Sequence, residues 1–190
     1  IIMKTCEWPG NDSDMLEYHD NEWGTPCHDD QRLFEYLILD TFQAGLSWRT
    51  ILKKRENFAK AFHGFDASKI ARYTDKDFKR LMNDSGIIRN RLKILGAIEN
   101  AKQFLEIQKQ FGSFDKYIWQ FTGHKTIKNS FKNLKELPAK TKESDEMSKD
   151  MKEKGFKFVG STICYAFMQG AGLVNDHVVD CFRYEEVGKN

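Results

Sequence analysis

The feature that most constrains the fold is a pair of potential metal ligands near each end of the sequence. The string HVVDC places His177 and Cys181 four positions apart, and Cys6 and His19 form a second pair near the N-terminus. Positions i and i+4 share one face of a helix, so His177 and Cys181 are predicted to reach the same ion. Two cysteines and two histidines have the composition of a closed structural zinc site. A chain that uses all four must bring its ends together.

The energetics favour such a link between the ends, although a simpler interpretation stays open. The two histidines are 158 positions apart, and closing so long a loop costs far less than the roughly 10 kcal/mol or more that a structural zinc site contributes. Four protein ligands leave no open coordination position, which argues against a catalytic ion. A lone histidine is more often a hydrogen-bonded structural residue, and Cys27 and His28 are alternative ligands.

Hydrophobic periodicity predicts an all-α protein. Apolar residues recur at helical spacing through most of the chain, and no stretch alternates apolar and polar residues as a half-buried strand would. Helices are predicted after Asp29, Ser47, Thr74, Ser113 and Ser144, with a longer one from about Ile87 to Gln110. The polar, lysine-rich segment 123–143 is predicted to be a surface connection. We expect one domain over residues 1–190, with a helical group at about 29–122 that the later segments complete.

Length, charge and cysteine content narrow the class of protein. A chain of 190 residues can bury roughly 70% of its unfolded surface without disulfides. The lack of a long apolar run or a signal-peptide stretch predicts a cytoplasmic protein with no membrane association. Four cysteines then fit reduced thiols or metal ligands. The net charge of +2 hides basic clusters at 53–55, 89–93 and 149–157, each either a solvated helix face or a phosphate contact.

Two predicted helices in the last third flank a short turn with a glycine at each end. The turn runs from Gly155 to Gly160, and the second helix begins at Ser161. The unpaired N–H groups of that helix, beside Lys154 and Lys157, would form a seat for a phosphate. An ordinary helical hairpin with glycine caps is the alternative interpretation.

Four unusual strings are distributed along the chain. They are YHDNEWG at 18–24, FQAGLSW at 42–48 followed by ILKKRENF, GIIR at 86–89, and GFKFVG at 155–160 with NDH at 175–177. Together they resemble the 3-methyladenine DNA glycosylase I family, from Cys6 to about Cys181. The resemblance implies an all-α helix-hairpin-helix DNA glycosylase fold in which a zinc ion joins the termini.

The same resemblance implies an activity in DNA repair. A monomeric enzyme would bind alkylated double-stranded DNA, flip out 3-methyladenine, hydrolyse its N-glycosidic bond and release the free base. Methylation at N3 makes the base a cation that becomes neutral on leaving, so extraction and discrimination matter more than acid catalysis. Two alternatives stay open: a zinc-containing helix-hairpin-helix protein that binds DNA without cutting a bond, and a glycosylase of the same fold for a different lesion.

The resemblance also implies roles for residues of the base pocket. Trp8, Tyr18 and Trp48 would bind the base, because aromatic faces favour a cationic ring, and Tyr18 and Trp48 would belong to the catalytic set. Asp40 would be the catalytic carboxylate, which accepts hydrogen bonds from the base and stabilises positive charge on the sugar. The family has a glutamate here, and Asp40 is one methylene shorter. A surface or capping carboxylate is the alternative interpretation.

Residues outside the pocket are implied to contact DNA. The element that enters the vacated space in the duplex would consist of Gln43, Gly45 and Leu46, with the leucine as a wedge between bases. The hairpin would hold phosphates through Gly155, Lys157, Gly160 and Ser161. Alternatively, Leu46 is a core residue. Related glycosylases have an aspartate where this chain has Asn175, an amide that cannot act as a general base, and Asp176 is the nearest carboxylate.

Overall fold

A computed structural model describes residues 4–187, and this part of the chain is predominantly helical. Its eleven α-helices are α1 Ser13–Asn21, α2 Asp30–Gln43, α3 Trp48–Lys53, α4 Arg55–Ala61, α5 Ala67–Ile70, α6 Asp75–Met82, α7 Arg91–Phe111, α8 Phe114–Trp119, α9 Lys142–Glu153, α10 Ser161–Gly170 and α11 Phe182–Glu186. Single turns of 3-10 helix occupy His63–Phe65, Gln120–Thr122 and Leu134–Glu136. The strands β1 Ile127–Lys128 and β2 Val174–Asn175 form a parallel pair. The all-α class is confirmed, with this short pair as a minor departure.

Helix α2 is the centre of the hydrophobic core. The Asp29 side chain caps its first turn, and the helix packs against α3, α7, α8 and α10. Phe34 of α2 contacts Phe104 of α7 with 4.7 Å between ring centroids. Nearly every residue of α2 from Leu33 to Phe42 is buried. Because Asp40 lies in the last turns of this packed helix, the core determines where its carboxyl group lies.

Some helix boundaries differ from the sequence prediction, and local hydrogen bonds explain why. Helix α7 begins at Arg91, four residues after the predicted Ile87, because Asn90 accepts a hydrogen bond from the Lys93 N–H and caps the helix there. Helix α9 is capped by Thr141 instead of Ser144. Ser144 is the third residue of α9, and its hydroxyl accepts a hydrogen bond from the Thr141 N–H, which completes a capping box.

The helix predicted after Ser47 is two helices. Ser47 caps α3 as predicted, but α3 ends at Lys53 and α4 begins at Arg55, with a bend at Lys54. Arg55 anchors the start of α4, because its guanidinium binds both carboxylate oxygens of Glu22, at 2.7 and 3.0 Å. The basic cluster at 53–55 is therefore partly an internal ion pair and not wholly a solvated face.

The last third forms the predicted pair of helices. Helices α9 and α10 pack against each other, and the turn between them starts at Gly155, whose φ of +93° few other residues adopt. Asn100 of α7 holds the turn through both hydrogen-bonding groups of the Lys157 backbone, at 2.7 and 3.0 Å. The Ser148 hydroxyl donates to the Val159 carbonyl at 2.6 Å. These contacts fix the turn against the core.

The two ends of the described chain meet, as the sequence predicted. The Phe182 N–H donates to the Lys4 carbonyl at 2.8 Å, and the Gly24 N–H donates to the Gln169 carbonyl at 2.8 Å. The segment that follows α1 therefore lies against the end of α10. Among residues 4–187, no helix has both the length and the apolar character needed to cross a membrane.

Gly172 is the tightest point where these segments meet. Its φ is +76°, and a Cβ atom there would lie 2.3 Å from the Thr25 carbonyl carbon and 2.4 Å from the Pro26 nitrogen. We predict that Gly172→Ala lowers the free energy of unfolding by more than about 3 kcal/mol, because backbone atoms on both sides would have to move. Chemical denaturation measures this loss.

Gly123→Ala is the matched control for that substitution. Gly123 has a similar φ of +63°, but among residues 4–187, its two chain neighbours aside, no heavy atom lies within 4 Å of the position of its Cβ. The control therefore carries only the strain of a left-handed backbone, about 1 kcal/mol. Equal losses of stability in the two variants would contradict the tight contact at Gly172.

Candidate active site

A cavity of about 250 Å³ lies between α1, the end of α2, α3 and α10. Its walls are formed by Trp8, Tyr18, Trp23, Asp40, Gln43, Trp48, Leu134, Leu137, Ala166 and Gln169. The structure thus brings together all four residues for which a base-binding role was predicted. Most of the lining is apolar, and its polar groups are a carboxyl, a phenol, two amides and the indole N–H groups of three tryptophans.

Aromatic rings form a continuous wall of the cavity. Tyr18 and Trp48 lie with 5.2 Å between ring centroids, and Trp8 contacts Trp23 at 5.0 Å. The indole N–H groups of Trp8 and Trp48 are buried, and neither has an acceptor among residues 4–187. Buried donors normally have partners, so these two N–H groups mark a place where a ligand with acceptor atoms would be held.

Asp40 is an isolated carboxyl group in this wall. Its side chain is only 5% exposed, and no hydrogen-bond donor reaches it within the described range. Burial raises the pKa of Asp40 well above its usual range. The alternative interpretation, a surface or capping carboxylate, is wrong. Burial also raises the pKa of Tyr18, and the nearby Asp40 adds to that effect.

The loop between α2 and α3, residues 44–47, follows directly on the cavity wall. Gln43 lines the cavity, and its side-chain amide donates to the Leu46 carbonyl at 2.5 Å. Gly45 has a φ of +78° and is exposed. The Leu46 side chain is 36% exposed, so the alternative view of Leu46 as a core residue is wrong. Gln43, Gly45 and Leu46 form one exposed turn beside the cavity.

A buried lysine holds the base of this loop. The Lys93 ammonium donates to the Phe42 carbonyl at 2.8 Å and to the Ala44 carbonyl at 2.6 Å. Its side chain is 7% exposed, and burial lowers the pKa of Lys93. The last carbonyls of a helix lack intrahelical partners. At the end of α2, the Lys93 ammonium provides hydrogen-bond donors for these carbonyls. This residue of the basic cluster 89–93 is therefore structural.

Of the four residues predicted to contact phosphate, Gly155, Lys157 and Gly160 lie on the turn between α9 and α10, and Ser161 is the first residue of α10. Lys157 has an exposed side chain, but its backbone N–H is used by Asn100. Gly160 is the N-cap of α10 and offers no side-chain hydrogen bond, so the first N–H groups of the helix remain available. The Ser161 hydroxyl lies 2.9 Å from the Ser144 hydroxyl. Of the predicted backbone contacts, those at the start of α10 are possible, and that of the Lys157 N–H is not.

The four predicted metal ligands form one buried cluster. Ligand atoms of Cys6, His19, His177 and Cys181 all lie within 4.8 Å of one another. His177 Nδ1 is 3.2 Å from His19 Nε2, and it is 3.7 Å and 3.6 Å from the Cys6 and Cys181 sulfurs. This cluster could hold a metal ion.

Hydrogen bonds outside the cluster orient both imidazoles towards its centre. His19 Nδ1 donates to an Asp20 oxygen at 2.7 Å, and His177 Nε2 donates to the Trp23 carbonyl at 2.8 Å. Both partners are acceptors only, so the other nitrogen of each ring presents a lone pair to the cluster. A hydrogen bond from the Cys6 thiol lowers the pKa of Cys181, which favours the thiolate that binds metals.

Two details of the predicted metal site are wrong. His177 and Cys181 do not share a helical face, because they lie on a turn and Cys181 caps α11. Cys27 and His28 are not alternative ligands. The Cys27 thiol donates to the Asp29 carbonyl, and His28 is hydrogen-bonded to Asp115 and stacks on Trp119.

Asn175 and Asp176 are structural residues outside the cavity lining. Asn175 donates to the Tyr184 carbonyl at 3.1 Å and accepts from the His177 N–H at 3.2 Å. Asp176 is 1% exposed, and its carboxylate accepts hydrogen bonds from three side chains. Asp176 is therefore not a substitute for a water-activating base.

Half of the lining was not anticipated from the sequence. The missed residues are Trp23, Leu134, Leu137, Ala166 and Gln169. Trp23 belongs to the YHDNEWG string and could have been included. Leu134 and Leu137 lie in the segment 123–143, which is more than a surface connection. Their spacing of three in the otherwise polar FKNLKEL was the available signal.

Comparisons with known proteins identify the family of this chain. A family model described as methyladenine glycosylase matches residues 8–184. DNA-3-methyladenine glycosylase 1 of Escherichia coli (strain K12) is 48% identical over 182 residues, which are 96% of this chain and 97% of that protein.

Solved structures give the same result for the fold. A crystal structure of 3-methyladenine DNA glycosylase I superposes with a TM-score of 0.92 at 45% identity, covering 94% of this chain and 98% of the other. A tyrosine-to-phenylalanine variant of a 3-methyladenine DNA glycosylase I in complex with 3-methyladenine also has a TM-score of 0.92, at 35% identity, covering 95% of this chain and 97% of the other. The family resemblance of the sequence is confirmed, and this chain belongs to the methyladenine glycosylase family.

Proposed function

We propose that this protein is a monofunctional DNA glycosylase that removes 3-methyladenine from alkylated DNA as the first step of base-excision repair. The observation that carries the proposal is the isolated Asp40 carboxyl in a cavity walled by Trp8, Tyr18 and Trp48. The relatives named as 3-methyladenine glycosylases support it. The unit of function would be one domain, since core side chains from α2 to β2 form one continuous cluster.

Charge is the property by which this cavity would select its base. A base methylated at N3 is positively charged while it is attached to the sugar, and normal adenine is neutral. The faces of Trp8, Tyr18 and Trp48 favour a cation by about 0.5 to 2 kcal/mol. A cation near Asp40 also favours the ionised carboxylate, which burial otherwise disfavours. Neutral adenine gives neither gain.

Bond cleavage needs little assistance from this site. When the bond between N9 and C1′ breaks, its electron pair neutralises the methylated purine, and water adds to C1′ and loses a proton. Asp40 would stabilise the positive charge that develops on the sugar. Within residues 4–187, the titratable groups of the cavity lining are Asp40 and Tyr18. A substrate that is already activated suits a site with so few.

The exposed turn and the hairpin would bind double-stranded DNA. Leu46 is exposed on a turn that Lys93 fixes next to the cavity, as an apolar wedge between bases requires. The start of α10 would accept a phosphate, with the Lys157 ammonium nearby. The protein would act as a monomer. It would work in the compartment that holds the DNA, and in a bacterial cell this is the cytoplasm.

We also propose that the four-residue cluster binds a structural zinc ion. Tetrahedral zinc places two nitrogens about 3.3 Å apart and a nitrogen and a sulfur about 3.6 Å apart. The corresponding distances at His177 are 3.2 Å to His19 and 3.6 Å to Cys181. Four protein ligands complete the coordination, so the ion would hold the chain ends together and take no part in the chemistry.

Asp40→Asn tests the catalytic proposal. We predict that single-turnover release of 3-methyladenine from methylated DNA falls by about 10²- to 10³-fold, because the group that stabilises the developing charge loses its charge. The affinity for DNA should change less than about threefold, since the exposed turn and the hairpin are intact. Asp75→Asn makes the same substitution at an exposed position and should change neither quantity. Equal losses of release and DNA binding in Asp40→Asn would contradict a catalytic role.

The same variant tests the cost of burying Asp40. Because the pKa of Asp40 is raised in the folded state, the folded protein binds a proton more tightly than the unfolded chain, and stability falls as pH rises above 3.8, the ordinary pKa of an aspartate. Asp40→Asn removes this loss, so its melting temperature should exceed that of the wild type by a few degrees at pH 7. The difference should shrink towards pH 4. A less stable variant at pH 7 would contradict the isolated buried carboxyl.

Cys181→Ala tests the metal proposal. Wild-type protein should contain about one zinc ion per chain. The variant should lose most of it and melt at least about 10 °C lower, because structural zinc contributes several kcal/mol to folding. Cys27→Ala changes a partly buried cysteine outside the cluster and should keep both the zinc and the melting temperature. Retention of zinc or of the wild-type melting temperature in Cys181→Ala would contradict the proposal.

A further inference from the structure

Gln169 of α10 is a polar residue of the cavity wall, and its amide takes part in a buried hydrogen-bond network. Gln169 belongs to the cavity lining, as does Ala166 of the same helix. The amide nitrogen donates a hydrogen bond to an Asp176 carboxylate oxygen at 3.0 Å. The Gln169 backbone is also fixed, because its carbonyl accepts a hydrogen bond from the Gly24 N–H at 2.8 Å.

Asp176 determines the direction in which the Gln169 amide points. Its buried carboxylate accepts from Tyr165 at 2.5 Å and from Asn129 at 2.7 Å, in addition to Gln169. A carboxylate accepts hydrogen bonds and does not donate them. The Gln169 side chain must therefore present its NH₂ group to Asp176, and its oxygen must point elsewhere.

The amide oxygen of Gln169 is available to a ligand. No donor reaches it within the described part of the chain. It is also absent from the buried side-chain atoms without partners, which are the indole nitrogens of Trp8 and Trp48 and the Arg183 Nε. Because this oxygen is neither paired nor fully buried, and Gln169 belongs to the cavity lining, it is an acceptor that solvent or a ligand can reach.

Gln43 is the other side-chain amide of the cavity lining, and its orientation has a different cause. Gln43 donates its NH₂ group to the Leu46 carbonyl, within the same exposed turn. That contact is local and depends on the loop. The orientation of Gln169, by contrast, is fixed by a network of four side chains that are packed between α10, β2 and the segment after β1. Only Gln169 is held as a rigid acceptor.

We propose that Gln169 is a specificity-determining residue, whose amide oxygen accepts a hydrogen bond from the exocyclic amino group of a flipped adenine. This inference rests on the proposed function. Guanine has a carbonyl oxygen at the equivalent ring position, so a 3-methylguanine bound in the same pose would place two acceptors against each other. A site with a fixed acceptor discriminates strongly against a ligand without the matching donor. Asp176, Tyr165 and Asn129 are the positioning residues for this contact.

Gln169→Met tests the contact, because methionine has a similar size and no amide. Single-turnover release of 3-methyladenine and of 3-methylguanine is measured on the same methylated DNA, with melting temperatures as a check of folding. We predict that release of 3-methyladenine falls by about 10- to 100-fold, whereas release of 3-methylguanine stays the same or rises. The ratio of the two rates should fall by at least about tenfold.

Gln43→Met is the matched control, because it removes the other side-chain amide of the same cavity. It should lower the release of both bases by the same factor, because its predicted contact is with DNA and not with the base edge. Asp176→Asn should lower the ratio as well, since an asparagine no longer forces one orientation on Gln169. If Gln169→Met does not fold, Gln169→Ala replaces it in the same assay.

Two outcomes separate the failure of this inference from that of the proposed function. If the wild type releases 3-methyladenine but Gln169→Met keeps the wild-type ratio, only the role of Gln169 is overturned. If the wild type releases neither base and free 3-methyladenine does not quench its tryptophan fluorescence, both proposals are overturned. A loss of the same factor for both bases in Gln169→Met would make Gln169 a merely structural residue.

Discussion

The cavity depends on the contact between the two ends of the chain at Cys6, His19, His177 and Cys181. His177 donates to the Trp23 carbonyl at 2.8 Å and packs edge-on against the Trp23 ring, with 4.8 Å between centroids. Trp23 in turn contacts Trp8 in the aromatic wall. Cys6 and Cys181 belong to the same hydrophobic cluster as Tyr18 and Trp23, separate from the main core. Trp23 therefore contacts the cluster that could hold a metal ion and also lines the cavity.

The part of the lining that α2 supplies has a different origin, the end of a core helix that carries a buried carboxyl group. Helix α2 is buried along most of its length, and its packing holds Asp40 in an apolar cavity without a hydrogen-bond donor within residues 4–187. Such a carboxyl lowers stability, and proteins keep such groups where function requires them. Lys93 stabilises the same helix end by binding two of its carbonyls. Core packing thus positions both a buried carboxyl group that lowers stability and the exposed turn that contains Gly45 and Leu46.

Local sequence signals predicted the features that depend on local physics. The caps at Asp29, Ser47 and Ser113, the glycine-flanked turn and the four clustered ligands were all readable from residue type and spacing. Features set by distant contacts were not readable. The HVVDC string suggested a helix but forms a turn, Leu134 and Leu137 reach the cavity from a polar segment, and the Gln169 amide is oriented by Asp176 through the tertiary fold. Lys93 belonged to a basic cluster, yet it is buried.

The central claim is that this cavity holds a positively charged purine against one isolated carboxyl group. The most direct test is an NMR titration of the Asp40 carboxyl carbon, in the free protein and with the cation 3,9-dimethyladeninium, which mimics the flipped base before cleavage. We predict that the pKa of Asp40 lies above the ordinary aspartate range in the free protein and that it falls clearly when the cation binds. An ordinary pKa in the free protein, or a pKa that the bound cation leaves unchanged, would contradict it.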